Sequence, residues 1–225
     1  MYKLLIFFLS VIVLVSACPI NAQEQTGITT TATAFVSVRP DIAIVVLGVV
    51  NEDVSAAAAA ASNAATTNAV INALRGFGVV ATDIDTIGYT VTPVMDHRRT
   101  PAVTVAYRVS NMIRVRHRNL ADIGRLIDTA LAAGANNVQN VTFAVENDAV
   151  PRREAVVRAV EEARAKAQVI ADALGVRVGR PISVSEASVG IPMPRMMAEA
   201  AVSPTPIMPE DVDVSASVTV TFAIL

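Results

Sequence analysis

The feature that most constrains this chain is a double change of hydrophobic period between Val103 and Phe143. From Val103 to Arg118 the pattern alternates. Val103, Val105, Tyr107, Val109, Ile113 and Val115 fall on one face, and Arg108, Ser110, Arg114, Arg116 and Arg118 on the other. That is the period of a half-buried strand. Asn119 stops the alternation as a candidate helix cap, with Asp122 placed to return the bond. Leu120, Ile123, Ile127, Ala130 and Leu131 then recur at intervals of three and four, which predicts an apolar helical face. Gly134 is suited to the left-handed cap. Val141, Phe143 and Val145 resume the alternation. Strand, helix, strand is the only regular reading of such a stretch, and it sets the class as α+β.

The remaining segments extend that class. Gly27 to Arg39 reads as a strand with Ala32, Ala34, Val36 and Val38 inward, turning at Pro40-Asp41. Ile42 to Val50 is apolar on both faces, the mark of a central strand. Gly48 within it signals a bulge or a close backbone approach. After the candidate caps Asn51, Asp53 and Ser55, a helix opens on six alanines, Ala56 to Ala61, and runs to Gly76. Its small face suits either tight internal packing or a subunit contact. Ile87, Tyr89 and Val91 alternate toward a polar turn at 96–101, giving a hairpin with the basic strand. A third helix starts near Pro151 and ends at Gly175. Its expected buried stripe is Val156, Val160, Ala163, Ala167, Ile170 and Leu174. Glu154 with Arg158, and Glu162 with Lys166, mark a wet face. Val178 to Val189 and Val212 to Ile224 read as strands around a proline- and methionine-rich loop at 191–210. The expectation is an α+β fold: a mixed or antiparallel sheet of about seven strands carrying three amphipathic helices, in one compact domain over 23–225, with a smaller lobe formed by the 76–118 hairpin region as the alternative.

Four segments have a familiar wording: SNMIRVRHRNL at 110–120, LIDTALAAGANNVQNVTF at 126–143, RPDIAIVVLGVV at 39–50 and AVEEARAKAQVIADALGVRVGRPISVSE at 159–186. In that order they resemble the SIMPL-domain family of envelope proteins, a former domain of unknown function. The likeness covers nearly all of the chain after its first residues. Where the family often reads proline-glycine, this chain has Pro209-Glu210. The resemblance implies a periplasmic or outer-membrane-associated protein, linked to stress tolerance and immunogenicity, with no agreed catalytic residues. It also implies that rings or channel-like oligomers are within the family's range.

The first residues fit export. Lys3 precedes an apolar run from Leu4 to Val15, too short for a mature membrane span, so 1–22 reads as a signal peptide. Cleavage after Ile20-Asn21-Ala22 is the preferred reading. The competing one takes Val15-Ser16-Ala17-Cys18 as a lipobox, with Cys18 as a lipidated lipoprotein anchor. Cys18 is the single cysteine, so the remainder has neither a disulfide nor a thiol nucleophile.

Chemistry is thinly represented. Net charge is −2 and aromatics are 4%, which argues against a nucleic-acid binder. His97 and His117 lack the cysteine or carboxylate neighbours of a zinc site. No serine sits in a glycine-framed elbow, and Gly76-x-Gly78 follows a helix, the wrong context for a phosphate loop. The expectation is no catalytic residues, no cofactor, no metal and no enzyme activity. Two groups stand out as candidate interaction surfaces. The row Arg108, Arg114, Arg116 and Arg118 suits carboxylate or phosphate; it either pairs with acids on neighbouring strands or meets headgroups or another subunit. Met193, Met196 and Met197 offer thioethers to a partner surface or to Cu(I), or simply fill a loop. A homo-oligomer is the favoured state, with a monomeric periplasmic binding module as the alternative.

Overall fold

The structure is a computed structural model and describes residues 27–187 and 209–225. The expected signal peptide, Cys18 and most of the 191–210 loop lie outside the described residues. In chain order the elements are β1 (Gly27–Val38), β2 (Ile42–Asp53), α1 (Ala56–Phe77), β3 (Ile84–Asp96), β4 (Val103–His117), α2 (Ile123–Ala132), β5 (Asn137–Ala144), α3 (Ala149–Leu174), β6 (Val178–Ala187) and β7 (Val212–Ile224). The fold is α+β with antiparallel pairing throughout. The strands divide into two sheets rather than one.

The larger sheet has the order β3-β4-β2-β5. The unit β2-α1-β3 straddles β4, and β4-α2-β5 straddles β2. Each unit places a strand inside the other, the interlocked β-α-β-β-α-β arrangement of ferredoxin-like folds. Two segments with no visible sequence repeat therefore make a topological one. The doubly apolar β2 is an interior strand, as its pattern requires. Its residues Ala43, Val45, Leu47 and Val49 meet Val70 and Leu74 of α1 and Ile123, Leu126 and Ile127 of α2. Gly48 is a close approach: a Cβ there would lie against Met112 and 2.5 Å from the Asn111 carbonyl oxygen. The bulge signalled nearby falls between Val46 and Leu47 in the pairing with β5.

Helix ends follow the local chemistry. Ser55 caps α1 by accepting from the Ala58 amide at 3.4 Å. α1 passes through Gly76 and ends on Gly78, whose φ of 111° needs a residue without a Cβ. Of the alanine run only Ala59 is fully buried; the inward stripe is Ala59, Asn63, Thr67, Val70 and Leu74. Asn63 belongs inside because its amide reaches the Val49 carbonyl at 2.8 Å and the Asn51 side chain at 3.2 Å. Asn119 starts a 3-10 turn, and donates to the Asp122 side chain at 2.6 Å instead of capping the backbone. In α2 the buried set is Ile123, Leu126, Ile127 and Ala130, while Leu131 turns outward. β5 stops at Ala144, one residue before Val145.

The smaller sheet has the order β1-β7-β6, so the first and last strands of the described chain pair along their full length, Gly27 opposite Ala223 to Val38 opposite Val212. α3 lies across β1 and β7, and here the expected stripe is wrong. The buried residues are Ala155, Ala159, Ala163, Ala167 and Ala171, one every fourth position. Val160, Ile170 and Leu174 are exposed. Alanine lets the helix sit low on the sheet, and the larger side chains must then splay to its flanks. Thr30 fixes that height by donating to the Ala163 carbonyl at 2.9 Å from a buried position. Beneath the stripe lie Ile28, Ala32, Val218, Val220 and Phe222.

Enlarging the stripe should therefore lift α3. Ala163→Leu is expected to destabilise the chain by about 1–3 kcal/mol in urea unfolding. A variant as stable as the parent would contradict the close packing of α3.

Candidate interaction surfaces

In the arginine row, Arg108, Arg114 and Arg116 lie on β4, on the sheet face opposite α1 and α2, and Arg118 follows directly after the strand. Strand register explains one of the row's partners directly, and the turns at strand ends supply others. Arg108 stands opposite Glu52 of β2 and bonds it at 2.6 Å. Arg116 lies between Asp83, 3.5 Å away, and Asp85 at 3.4 Å, and donates to the Thr82 carbonyl at 2.8 Å. Arg118 bonds Asp83 at 2.7 Å and both carboxylate oxygens of Glu146. The hydrogen bonds that the Arg118 guanidinium donates to Glu146 and then to Asp83 push its pKa still further up. Arg114 alone in the row has no ion pair among the described residues, and it is exposed. Three of the four cations thus hold strands and turns together, and the fourth is open to solvent.

Asp83 is the hub of this cluster. It is 8% exposed and bridges two guanidinium groups. Glu146 receives Arg118 while its own amide donates to the Asp41 side chain at 2.7 Å. The network therefore joins the turn between β1 and β2 to the entry of β3.

The histidines do not gather. His97 is exposed in the turn between β3 and β4. His117 ends β4, with its ring centroid 5.9 Å from that of Phe77 and its Nε2 buried without a partner among the described residues. Fifteen residues of β4 separate the tip from that end, roughly 45 Å. One proton-transfer site cannot use both. The Phe77 ring also carries the Arg125 guanidinium, 5.5 Å from its centroid. Among the described residues no three of His, Cys, Asp and Glu come together as metal ligands. Met193, Met196 and Met197 lie outside the described residues.

One surface was not legible as a site. Among the described residues β1 is an edge strand, and the flank of α3 runs beside its open edge. Lys166 donates to the Thr31 carbonyl and Arg158 to the Phe35 carbonyl, each at 3.4 Å. Both cations keep their expected helical partners, Lys166 with Glu162 at 2.8 Å and Arg158 with Glu154. A groove of about 530 Å³ separates Thr29, Thr30 and Thr31 from Glu162, Val169 and Ile170. The opposite flank, between α3 and β6, forms a second groove of about 430 Å³ lined by Val160, Pro181, Val184 and Phe222. The only sequence signal was the pair of acid–base couples four residues apart on α3.

Comparison with known proteins agrees with the fold-wide wording. Residues 28–222 match the SIMPL family, described as a "Protein of unknown function (DUF541)". The chain is also similar to the "26 kDa periplasmic immunogenic protein" of Brucella melitensis and to that of Brucella abortus. It is 31% identical to each, over 96% of this chain and 94% of the relative.

The ion pairs make a contrast that can be measured. Asp83→Asn strips two guanidinium groups of a shared carboxylate and should lower the melting temperature clearly. Arg114→Ala should change stability by no more than about 0.5 kcal/mol. Equal effects of the two in thermal unfolding would contradict the division of the row.

Proposed function

The chain belongs to the SIMPL family, and on that premise we propose that it is an exported, non-catalytic envelope protein that works by self-association. The observation that carries this reading is a pair of opposites. The clustered ionisable groups are spent on internal ion pairs, with Asp83 as their hub. Apolar side chains are left open along one helix: Val150, Val157, Val169 and Leu174 of α3 are all more than half exposed. Open apolar positions grouped on one element are what a subunit contact would cover.

Location and service belong to the same proposal. The Brucella relatives are named as periplasmic and immunogenic, and a leader over 1–22 fits delivery of this chain to the periplasm. Association with the outer membrane and a part in stress tolerance complete the reading. No described helix is long and apolar enough to cross a membrane; attachment by assembly at the surface, or through Cys18 if the lipobox is used, belongs to the same proposal.

Light scattering of the exported, purified protein at micromolar concentration tests the core of this. The expected species has at least twice the mass of one chain. A strict monomer would contradict self-association and favour a solitary binding module.

A further inference from the structure

The open edge of β1 and the neighbouring ridge of α3 are complementary to themselves. Along α3 the positions Val150, Glu154, Arg158, Glu162, Lys166 and Ile170 form one row, each four residues after the last. In order they are apolar, acid, base, acid, base, apolar. Reversed about residue 160, every acid meets a base and each apolar end meets the other. Val150 would face Ile170 of a second copy, Glu154 would face Lys166, and Arg158 would face Glu162. Val150 is 73% exposed and Ile170 40%.

The strand below has a matching centre. Arg158 reaches the Phe35 carbonyl and Lys166 the Thr31 carbonyl. Eight helical residues cover about 12 Å and four strand residues about 13 Å, so helix and strand run in step in opposite directions. Residue 160 of α3 therefore stands over residue 34 of β1. Peptide groups alternate along a strand, so Thr33 presents its N–H and C=O to the same open edge as Thr31 and Phe35. A two-fold axis through Ala34 sets Thr33 opposite Phe35 of the second copy, with both in hydrogen-bonding positions. The same axis brings the two α3 rows together.

The spacing fits as well. α3 lies across β1 and β7. Strands are about 4.8 Å apart, so two such helices over a joined sheet would be roughly 10 Å apart. That is the upper end of the distance at which helices pack.

We propose that β1 pairs antiparallel with β1 of a second copy, giving a continuous six-stranded sheet, and that the two α3 rows zip together across it. This rests on the self-association proposed above and names its surface. In the single chain, Lys166 and Arg158 occupy the edge carbonyls, the way cations guard exposed strand edges. On pairing, the second copy's N–H groups take the carbonyls. The cations swing to Glu154 and Glu162 of that copy, and the edge guard becomes part of the contact.

Two rows of single sign test it. Glu154→Lys with Glu162→Lys makes an all-basic row; Arg158→Glu with Lys166→Glu makes an all-acidic one. Alone, each should associate about tenfold or more weakly than the parent by light scattering, because like charges would face each other. Mixed in equal amounts they should recover the association. Both variants lose their internal helix pairs in the mixture too, so recovery can come only from contacts between chains. A Thr33→Pro variant blocks the edge and leaves the backbone ladder to β7 intact, losing there only the exposed bond from the Thr33 hydroxyl to the Ser217 hydroxyl at 3.0 Å, and should associate as weakly. Circular dichroism melts identify any variant that fails to fold, and Thr33→Pro then decides alone. If the parent assembles while the single-sign rows and Thr33→Pro assemble equally well, or if the mixture does not recover, this interface is wrong and self-association stands. If the parent is monomeric, both fall.

Discussion

The contact on which the smaller layer depends is the row of alanines along α3. A helix that buries only Ala155, Ala159, Ala163, Ala167 and Ala171 can settle close to its sheet, and Thr30 locks it there through the Ala163 carbonyl. The apolar volume in this layer comes chiefly from the strands, from Ile28, Val218, Val220 and Phe222. The close seat has a second effect. Side chains next to the stripe cannot fit beneath the helix, so charged and apolar groups alike are pushed to its flanks. That displacement puts Arg158 and Lys166 at the edge of β1, and leaves Val169 and Leu174 in solvent.

The two layers have separate cores and are joined where the chain crosses between them. Asp41 sits in the turn leaving β1, and Glu146 follows β5 just before α3. The bond from the Glu146 amide to Asp41, and from Arg118 to Glu146 and Asp83, ties both crossings to one cluster. Exposed ion pairs contribute little singly. This set shares a carboxylate that is almost out of water, and its geometry is fixed at several points. It positions strand entries, which is a structural task for charges that would otherwise suggest a ligand.

Much of the fold could be read in the residues, and the errors have a common cause. Strands with one wet face, β1, β4 and β7, declare themselves by alternation. The doubly apolar β2 declares its interior place. α3 departs from its expected stripe because large apolar side chains ordinarily mark the core, whereas close packing here selects the smallest. Ala163 and Ala167 were in the expected stripe; Val160, Ile170 and Leu174 were expected inside and lie outside. The division into two sheets could not be read, since it depends on which strand β1 chooses. The arginine row is visible in the sequence, but its partners Glu52, Asp83, Asp85 and Glu146 come from distant positions that strand pairing and the turns at strand ends bring together. The charge sequence along α3 was also visible. Its meaning appears only once β1 is known to be an edge strand beside it.

What unites these features is that the chain presents, among its described residues, an unpaired strand edge flanked by a helix whose charges are ordered to meet their own reversal. The most direct measurement is amide hydrogen exchange at Thr31, Thr33 and Phe35 as protein concentration is raised. Protection that grows with concentration at these three edge amides is the predicted result. Fast exchange at all three, unchanged across the range in which the protein assembles, would contradict the account.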